Sequence, residues 1–259
     1  MRQRLQPAST ETERIIRSEN VRFREMLSRC MNGVITPGDW VFLNDCSVTL
    51  KNDRATFCRR SNDSEASVVH LCATKASMHE CNHRLLQHHA STKQVPLVRI
   101  DADGTRAGTK DGITGDKLRT KLEPRLWLAK GAPVVCSWNG WQKGGIVNGA
   151  VGYVYDIIYA KGDGPPNMPI AILVQYPEGG TNRGESYLKD VPRIVKFRPR
   201  TDQIPSELGG GSRTQFPLNL EYALTIHKAQ GGTYERVVLD LGKDEFSVGL
   251  SYVGMSRVR

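Results

Sequence analysis

Apolar residues recur at mixed three- and four-residue spacing between Arg14 and Met31, at Ile15, Ile16, Phe23, Met26 and Leu27, and Gly33 follows. That pattern predicts an amphipathic helix with a glycine stop. Thr36, Pro37 and Asp39 then read as the cap, first position and first-turn acid of a second helix, whose apolar side would be Trp40, Phe42 and Leu43. From Leu50 to Ser67 the chain turns polar and charged, as a surface loop does. Ser67–Ala73 (SVVHLCA) is β-branched and apolar and predicts a strand. Thr74–His89 predicts a helix that buries Met78, Leu85 and Leu86. A strand followed at once by a helix is the unit of a parallel α/β sheet.

The pattern changes twice more. Asp101–Lys121 is rich in Gly, Asp, Thr and Lys without apolar periodicity, and reads as a basic loop. From Leu126 to about Arg198 the apolar runs are short: Pro133–Trp138, Ala150–Tyr159, Ile170–Tyr176 and Arg193–Phe197, separated by glycine- and proline-rich turns. Such runs predict a small antiparallel barrel. Ser206–Ser212 (SELGGGS) reads as a flexible link. Beyond it Leu220–Ala229 predicts a helix, Glu235–Leu241 a buried strand and Leu250–Arg259 a last helix. The expected fold is an α/β layer interrupted by a β insertion and then resumed.

Composition narrows the function. The 259 residues carry 36 Lys and Arg against 27 Asp and Glu, a formal +9, which suits a polyanionic partner such as nucleic acid. Hydrophobic residues at 39% exclude a wholly disordered or collagen-like chain. No apolar run approaches the about eighteen residues of a membrane span, so no membrane partner is expected. The basic start MRQRLQPASTETER lacks the apolar core of a secretory signal. Cysteines 30, 46, 58, 72, 81 and 136 form no C-x-x-C pair and read as free thiols in a reducing, intracellular compartment.

Candidate chemistry concentrates near the C-terminal end. In Ala223–Leu241 (ALTIHKAQGGTYERVVLDL), Thr225, His227, Lys228 and Gln230 precede Gly231-Gly232. A polar helix end abutting glycines would let backbone N–H groups and side chains approach a phosphate chain. In Gly249–Arg259 (GLSYVGMSRVR), Ser256, Arg257 and Arg259 follow an apolar run. A guanidinium held by packed neighbours suits a developing γ-phosphate charge, as an arginine finger.

TIHKAQG and YVGMSRVR resemble motifs five and six of the Pif-type DNA helicases, in the RecD-like branch of helicase superfamily one, a group that includes the helicases of Helitron transposons. Phe23–Leu27 with Gly33, Thr36, Asp39-Trp40 and Leu43 resembles the family's segment between motifs three and four. Val68–Asn82 resembles motif four, Leu126–Ile157 the strand and VNG turn entering the inserted barrel, and Arg213–Leu218 the approach to motif five. The resemblance implies a second RecA-like motor lobe (67–125 and 201–259) with an SH3-like barrel inserted at 126–200. Residues 1–66 would be helices and a linker joining from a first lobe. It further implies five-prime to three-prime movement on single-stranded DNA, in the nucleus. ATP and magnesium would lie between the lobes, with Arg257 as the finger and Gln230, Gly231 and Arg259 coupling DNA to nucleotide. Thr225, His227 and Lys228 would contact the strand. Thr74 and Asn82 would touch the DNA backbone or order motif four.

Departures from the family pattern accompany the match. A Walker A loop is absent; Gly104–Lys110 has the wrong spacing. No strand ends in paired acids for magnesium, so the first lobe must be supplied upstream or by another chain, and the chain alone would be inactive. Ala229 and Gly254-Met255 replace the commoner Ser and Ala-Leu. A non-catalytic DNA-binding remnant is the alternative. His70, Cys72, His79 and His83 could be read as a zinc module, but their spacing fits no closed Cys/His pattern, and no metal is expected. Trp127, Trp138 and Trp141 could stack on bases, with a core role expected for the first two. The Lys110–Lys130 cations read as a solvated face or a DNA-facing loop.

Overall fold

The computed structural model describes residues 20–45, 68–106, 122–140, 146–178, 186–208, 210–241 and 249–258. They divide into two compact units: residues up to Met78 together with those from Leu224, and His79–Ala223.

In the first unit α1 (Val21–Met31) starts where Asn20 Oδ1 accepts from Phe23 N at 3.1 Å, and it buries Met26 and Leu27. The expected Thr36 cap forms. α2 (Pro37–Asp45) begins with a reciprocal box: Asp39 N donates to Thr36 Oγ1 at 3.3 Å, and Thr36 N donates back to Asp39 Oδ2 at 3.0 Å. Arg29 adds a two-pronged ion pair, Nη2 to Oδ1 at 2.6 Å and Nε to Oδ2 at 2.9 Å. The Arg29 guanidinium and the Thr36 donors hold the Asp39 carboxyl well below the usual carboxylate range. The expected apolar side of α2 is corrected: Trp40 is 57% exposed, Phe42 and Leu43 are half-buried, and the buried position is Asp39. An ion pair, not an apolar stripe, docks this short helix.

A parallel pair organises the rest of this unit. β1 (Val68–Cys72) runs beside β13 (Arg236–Asp240), from Val68 opposite Arg236 to Cys72 opposite Asp240. The sheet order is β12-β1-β13, β12 being Ala223–Thr225. Val69, Leu71, Leu224, Ile226, Ala229 and Leu250 form its buried core, with Leu239 and Val253 packed on it. α4 (Leu250–Met255) closes over this core because Gly254 lacks a side chain; a Cβ there would stand 2.6 Å from Leu239 Cδ1. The helix expected over Leu220–Ala229 is corrected. Its residues split into the end of β11 (Leu218–Leu220), β12 and a chain of turns. Ile226 N donates to Cys72 O at 3.0 Å, so the neighbouring edge of β1 captures backbone groups a helix would have used.

The second unit holds most of α3 (Lys75–Lys93), which buries Cys81, Asn82, Leu85, Leu86, His89 and Ala90, while Met78 is half-buried. The unit's strands are β2 (Val98–Asp101), β3 (Asp103–Arg106), β4 (Arg125–Leu128), β5 (Pro133–Cys136), β6 (Val151–Ile158), β7 (Ala171–Gln175), β8 (Ile194–Phe197), β9 (Arg200–Ile204) and β10 (Gly211–Gln215), with β11. They form a five-stranded antiparallel sheet, β11-β5-β6-β7-β8, a three-stranded one, β3-β10-β9, and the pair β2-β4. An α/β chain with one parallel sheet and several antiparallel ones is thus observed. No closed barrel forms among the described residues, and the strands extend on both sides of 126–200.

Two polar stretches read as loop and link are strand instead. β3 occupies part of the expected basic loop, whose residues 107–121 lie outside those described. Gly104 (φ +152°) allows it, since a Cβ there would stand 2.0 Å from Ser212 O on β10. Within SELGGGS, Gly211 and Ser212 belong to β10, whose polar side chains are buried and tied to distant main chain. Arg213 Nη1 donates to Leu122 O at 2.8 Å and Gln215 Nε2 to Ile100 O at 3.0 Å.

Candidate nucleotide and nucleic-acid site

β1 and β12 end side by side, and each is followed by a threonine-led turn. Thr74, exposed, caps α3: Ser77 N donates to its Oγ1 at 3.1 Å, and Met78 N to its carbonyl at 3.1 Å. Thr225 repeats the device on β12, with Lys228 N donating to Oγ1 at 3.3 Å and Ala229 N to its carbonyl at 3.1 Å. The turn continues through Gln230 N to His227 O at 3.2 Å and Gly232 N to Ala229 O at 3.0 Å. Ile226 and Ala229 point into the core, which leaves His227, Lys228, Gln230 and Gly231 exposed on the outer side. Gly231 takes φ +85°, a left-handed geometry that favours glycine.

The end of this turn meets the end of α4. Tyr234 N donates to Arg257 O at 2.9 Å, and Tyr234 and Val258 form a parallel bridge. Gly232 lies under the Tyr234 ring, where a Cβ would stand 2.8 Å from the phenol oxygen. Arg257 is half-buried. Its Nε donates to Val253 O at 3.0 Å, and its Nη2 donates to Ser256 Oγ at 2.7 Å. Ser256, 4% exposed, in turn donates to Val253 O at 2.9 Å. A helix end, a buried hydroxyl and a neighbouring turn therefore position one guanidinium. Arg259 lies outside the described residues.

Asn82 sits elsewhere. It is 5% exposed, and both halves of its amide are engaged by Ala223: Nδ2 donates to Ala223 O at 3.0 Å, and Ala223 N donates to Oδ1 at 2.9 Å. It stands in for a neighbouring strand at the start of β12. The candidates thus separate into an exposed turn, a positioned arginine and a buried clamp.

Guanidinium, imidazole, ammonium and amide groups make up this donor set. They fit phosphate oxygens, whereas carboxylates for a magnesium ion are lacking among them. No group of three His, Cys, Asp or Glu lies together as metal ligands among the described residues. His83 instead lies 3.0 Å from Gln87 Nε2 and edge-on to Trp127, at 5.4 Å between ring centroids. Trp127 is half-buried, but Trp138, expected in the core, is 41% exposed because it follows β5 on a turn. Tyr234 was missed by sequence reasoning, for its role is played by its main chain; the glycine pair two residues before it was the available signal.

No family model matches the chain. The rat ATP-dependent DNA helicase PIF1 is 30% identical over 165 residues, 62% of this chain and 21% of that protein. Pif1 of Campylobacter jejuni is 26% identical over 247 residues, 93% of this chain and 49% of the relative. The crystal structure of Pif1 helicase from Candida albicans superposes with a TM-score of 0.67 at 26% identity, over 92% of this chain and 51% of that one. The chain is homologous to the Pif1-type helicases. Its α/β architecture is theirs also in Bacteroides Pif1 solved with ADP-AlF3 and single-stranded DNA, with a TM-score of 0.64 over 94% of this chain at 23% identity. The chain spans about half, or less, of the length of these Pif1 relatives. None of its described helices is long and apolar enough to cross a membrane.

Proposed function

We propose that the chain is the second, C-terminal motor lobe of an ATP-dependent five-prime to three-prime DNA helicase. The observation that carries this reading is the bond from Tyr234 N to Arg257 O. It joins the turn that presents His227 and Lys228 to the helix end that presents Arg257. A strand held on the outer side of the turn and a nucleotide facing Arg257 would then act on one connected backbone segment.

In this reading the exposed Thr225–Lys228 turn holds DNA phosphates, and Thr74 does so from the neighbouring turn. Gln230 and Gly231 link that contact to the nucleotide side. Asn82 orders the start of β12 from beneath. Arg257 stabilises charge on the γ-phosphoryl group as it separates, the work of an arginine finger. ATP and its magnesium would be held by a first lobe carrying the Walker A loop, a sequence this chain does not contain. The relatives' printed names, ATP-dependent DNA helicases, support the nucleotide and the DNA. Single-stranded DNA, such a first lobe and a nuclear setting are the proposed context.

The test is reconstitution. The chain is joined to the first lobe of a Pif1 relative, and ATP hydrolysis is followed with and without single-stranded DNA. DNA-stimulated turnover is expected in the joined protein and none above background in the chain alone. Turnover by the chain alone, or turnover in the joined protein that ignores Arg257→Ala, overturns the reading.

A further inference from the structure

The strongest feature outside the motor motifs lies on the outer edge of the second unit's five-stranded sheet. β8 is the terminal strand of that sheet, and the chain runs from it through Arg198-Pro199 into β9. Lys196, Arg198 and Arg200 recur at every second position, while Phe197 between them is buried. In extended chain, alternate residues share a face, so three cations stand in a row about 7 Å apart.

Two of the three are seated on exposed aromatic rings. Lys196 Nζ lies 4.7 Å from the Tyr187 ring centroid and donates to Tyr187 Oη at 3.0 Å. Arg200 lies 5.0 Å from the ring centroid of Trp138. Tyr187 and Trp138 are 50% and 41% exposed, large areas for rings that a fold could have buried. Both are held in place. Tyr187 N donates to Ile194 O at 2.7 Å, tying its segment to β8, and the Cys136 thiol donates to Trp138 O at 3.0 Å. A groove of about 490 Å³ runs between Trp138, Ile146, Pro199 and Pro217, with Arg198 on its wall. The acid facing the row is Asp202, which accepts from Arg200 Nε at 2.7 Å; Lys196 and Arg198 lie beyond it.

We propose that this edge is a second seat for single-stranded DNA, with Lys196 and Arg198 on phosphates and Trp138, backed by Arg200, stacking a base. The inference rests on the reading of the chain as a DNA motor lobe and extends the strand's path to the β-rich unit. Regularly spaced cations suit a polymer with one charge per repeat, and an aromatic platform beside them accepts any base by its π face. An acidic peptide would use the same cations but has no regular charge spacing and no flat ring to place on Trp138. The chain's +9 favours the longer polyanion.

Fluorescence anisotropy with an oligo-dT strand, and with an abasic strand of equal length, tests the seat. Trp138→Ala should weaken oligo-dT binding about tenfold and leave abasic binding unchanged, because it removes only stacking. Trp138→Phe should restore most of the loss, which separates stacking from folding. Arg198→Ala should weaken both strands and lower the slope of log K against log salt by about one. If wild type binds oligo-dT and both alanine variants bind it equally well, the seat is refuted while the motor-lobe reading stands. If wild type binds neither strand at low salt, that reading falls and takes the seat with it. Arg198-dependent capture of polyglutamate, with oligo-dT binding unaltered, overturns the proposal in favour of an acidic peptide.

Discussion

The main-chain N–H of Tyr234 donates to the carbonyl of Arg257 at 2.9 Å, and a parallel bridge from Tyr234 to Val258 extends the contact. Two segments separated in sequence by β13 and its following loop are thereby held at one backbone seam. The side chains stay out of that bond. Gly232 tucks beneath the Tyr234 ring, and Arg257 folds over Ser256. Movement of the 226–232 turn is transmitted to the arginine through backbone, the stiffest route the fold has. That is the geometry a coupling device requires.

Asn82 is predicted to act on stability before it acts on anything else. Asn82→Ala leaves Ala223 N–H and C=O without the amide that now meets both. Losing buried partners costs about 1–3 kcal/mol per group left unsatisfied. Asn82→Asp keeps the acceptor for Ala223 N–H but turns a carboxylate oxygen toward the Ala223 carbonyl, so it should be at least as damaging. Denaturant melts measure both. A stable Asn82→Asp protein with weakened DNA affinity would transfer Asn82 from clamp to direct contact.

Gly104 gives a sharper structural prediction. A Cβ there meets the Ser212 carbonyl at 2.0 Å, and a backbone oxygen cannot swing aside as a side chain can. Gly104→Ala should therefore break the β3–β10 pairing and destabilise the second unit by more than about 2 kcal/mol. Thermal melting of the variant checks it; a native-like midpoint would mean the pairing is looser than the backbone spacing shows.

How far the sequence could be read follows from where each residue's partners lie. β1, β13 and α3 were legible because β-branched runs and apolar periodicity are local signals. The Thr36 cap was legible for the same reason. Leu220–Ala229 was misread because Glu221, Ala223, Leu224 and Ala229 favour a helix in isolation, and only the edge of β1 makes Ala223–Thr225 a strand. The expected link and loop became β10 and β3 through partners far off in sequence. Arg213 reaches Leu122 across 91 positions and Gln215 reaches Ile100 across 115. At the site, the exposed turn and Arg257 were visible as motifs. The Asn82 clamp was not, since its partner Ala223 is 141 positions away.

The Asp39 box sets an acid limit on the N-terminal helices. Arg29 first, then the Thr36 backbone and hydroxyl donors, depress the folded-state pKa of Asp39 below its unfolded value near about 3.9. A depressed folded pKa contributes stability that is fully present above the unfolded value and is lost as pH falls through the folded one. Stability should thus decline on acidification below about pH 5. Asp39→Asn should be less stable at neutral pH and show a shallower acid decline. Urea midpoints across pH for both proteins measure the difference; parallel profiles would remove Asp39 from the acid response.

The exposed turn should govern salt-sensitive DNA binding. His227 and Lys228 point outward beside backbone N–H groups, so phosphate contacts there release counterions, and affinity should fall steeply between about 50 and 200 mM salt. Lys228→Ala should reduce the salt slope by about one, the signature of one lost phosphate contact. His227→Ala should weaken binding and, in the joined two-lobe protein, the stimulation of ATP hydrolysis by DNA. Salt-independent affinity would detach the turn from the phosphate backbone.

Arg257 carries the opposite expectation. Its guanidinium is positioned by Val253 O and Ser256 Oγ at the end of α4 and not on the exposed turn, so DNA affinity should hardly change when it is removed. In the joined two-lobe protein Arg257→Ala should instead lower turnover by about three to five orders of magnitude, the span over which arginine fingers act. Arg257→Lys should recover little of it, because an ammonium offers no planar, two-pronged donor to phosphoryl oxygens. Ser256→Ala removes the hydroxyl that aims the guanidinium but leaves its charge, and should reduce turnover less than Arg257→Ala while sparing DNA affinity. Steady-state rates at saturating DNA, set beside a binding isotherm for each variant, separate these effects. An Arg257→Ala protein that keeps its turnover and loses DNA would exchange the roles assigned to the helix end and the turn.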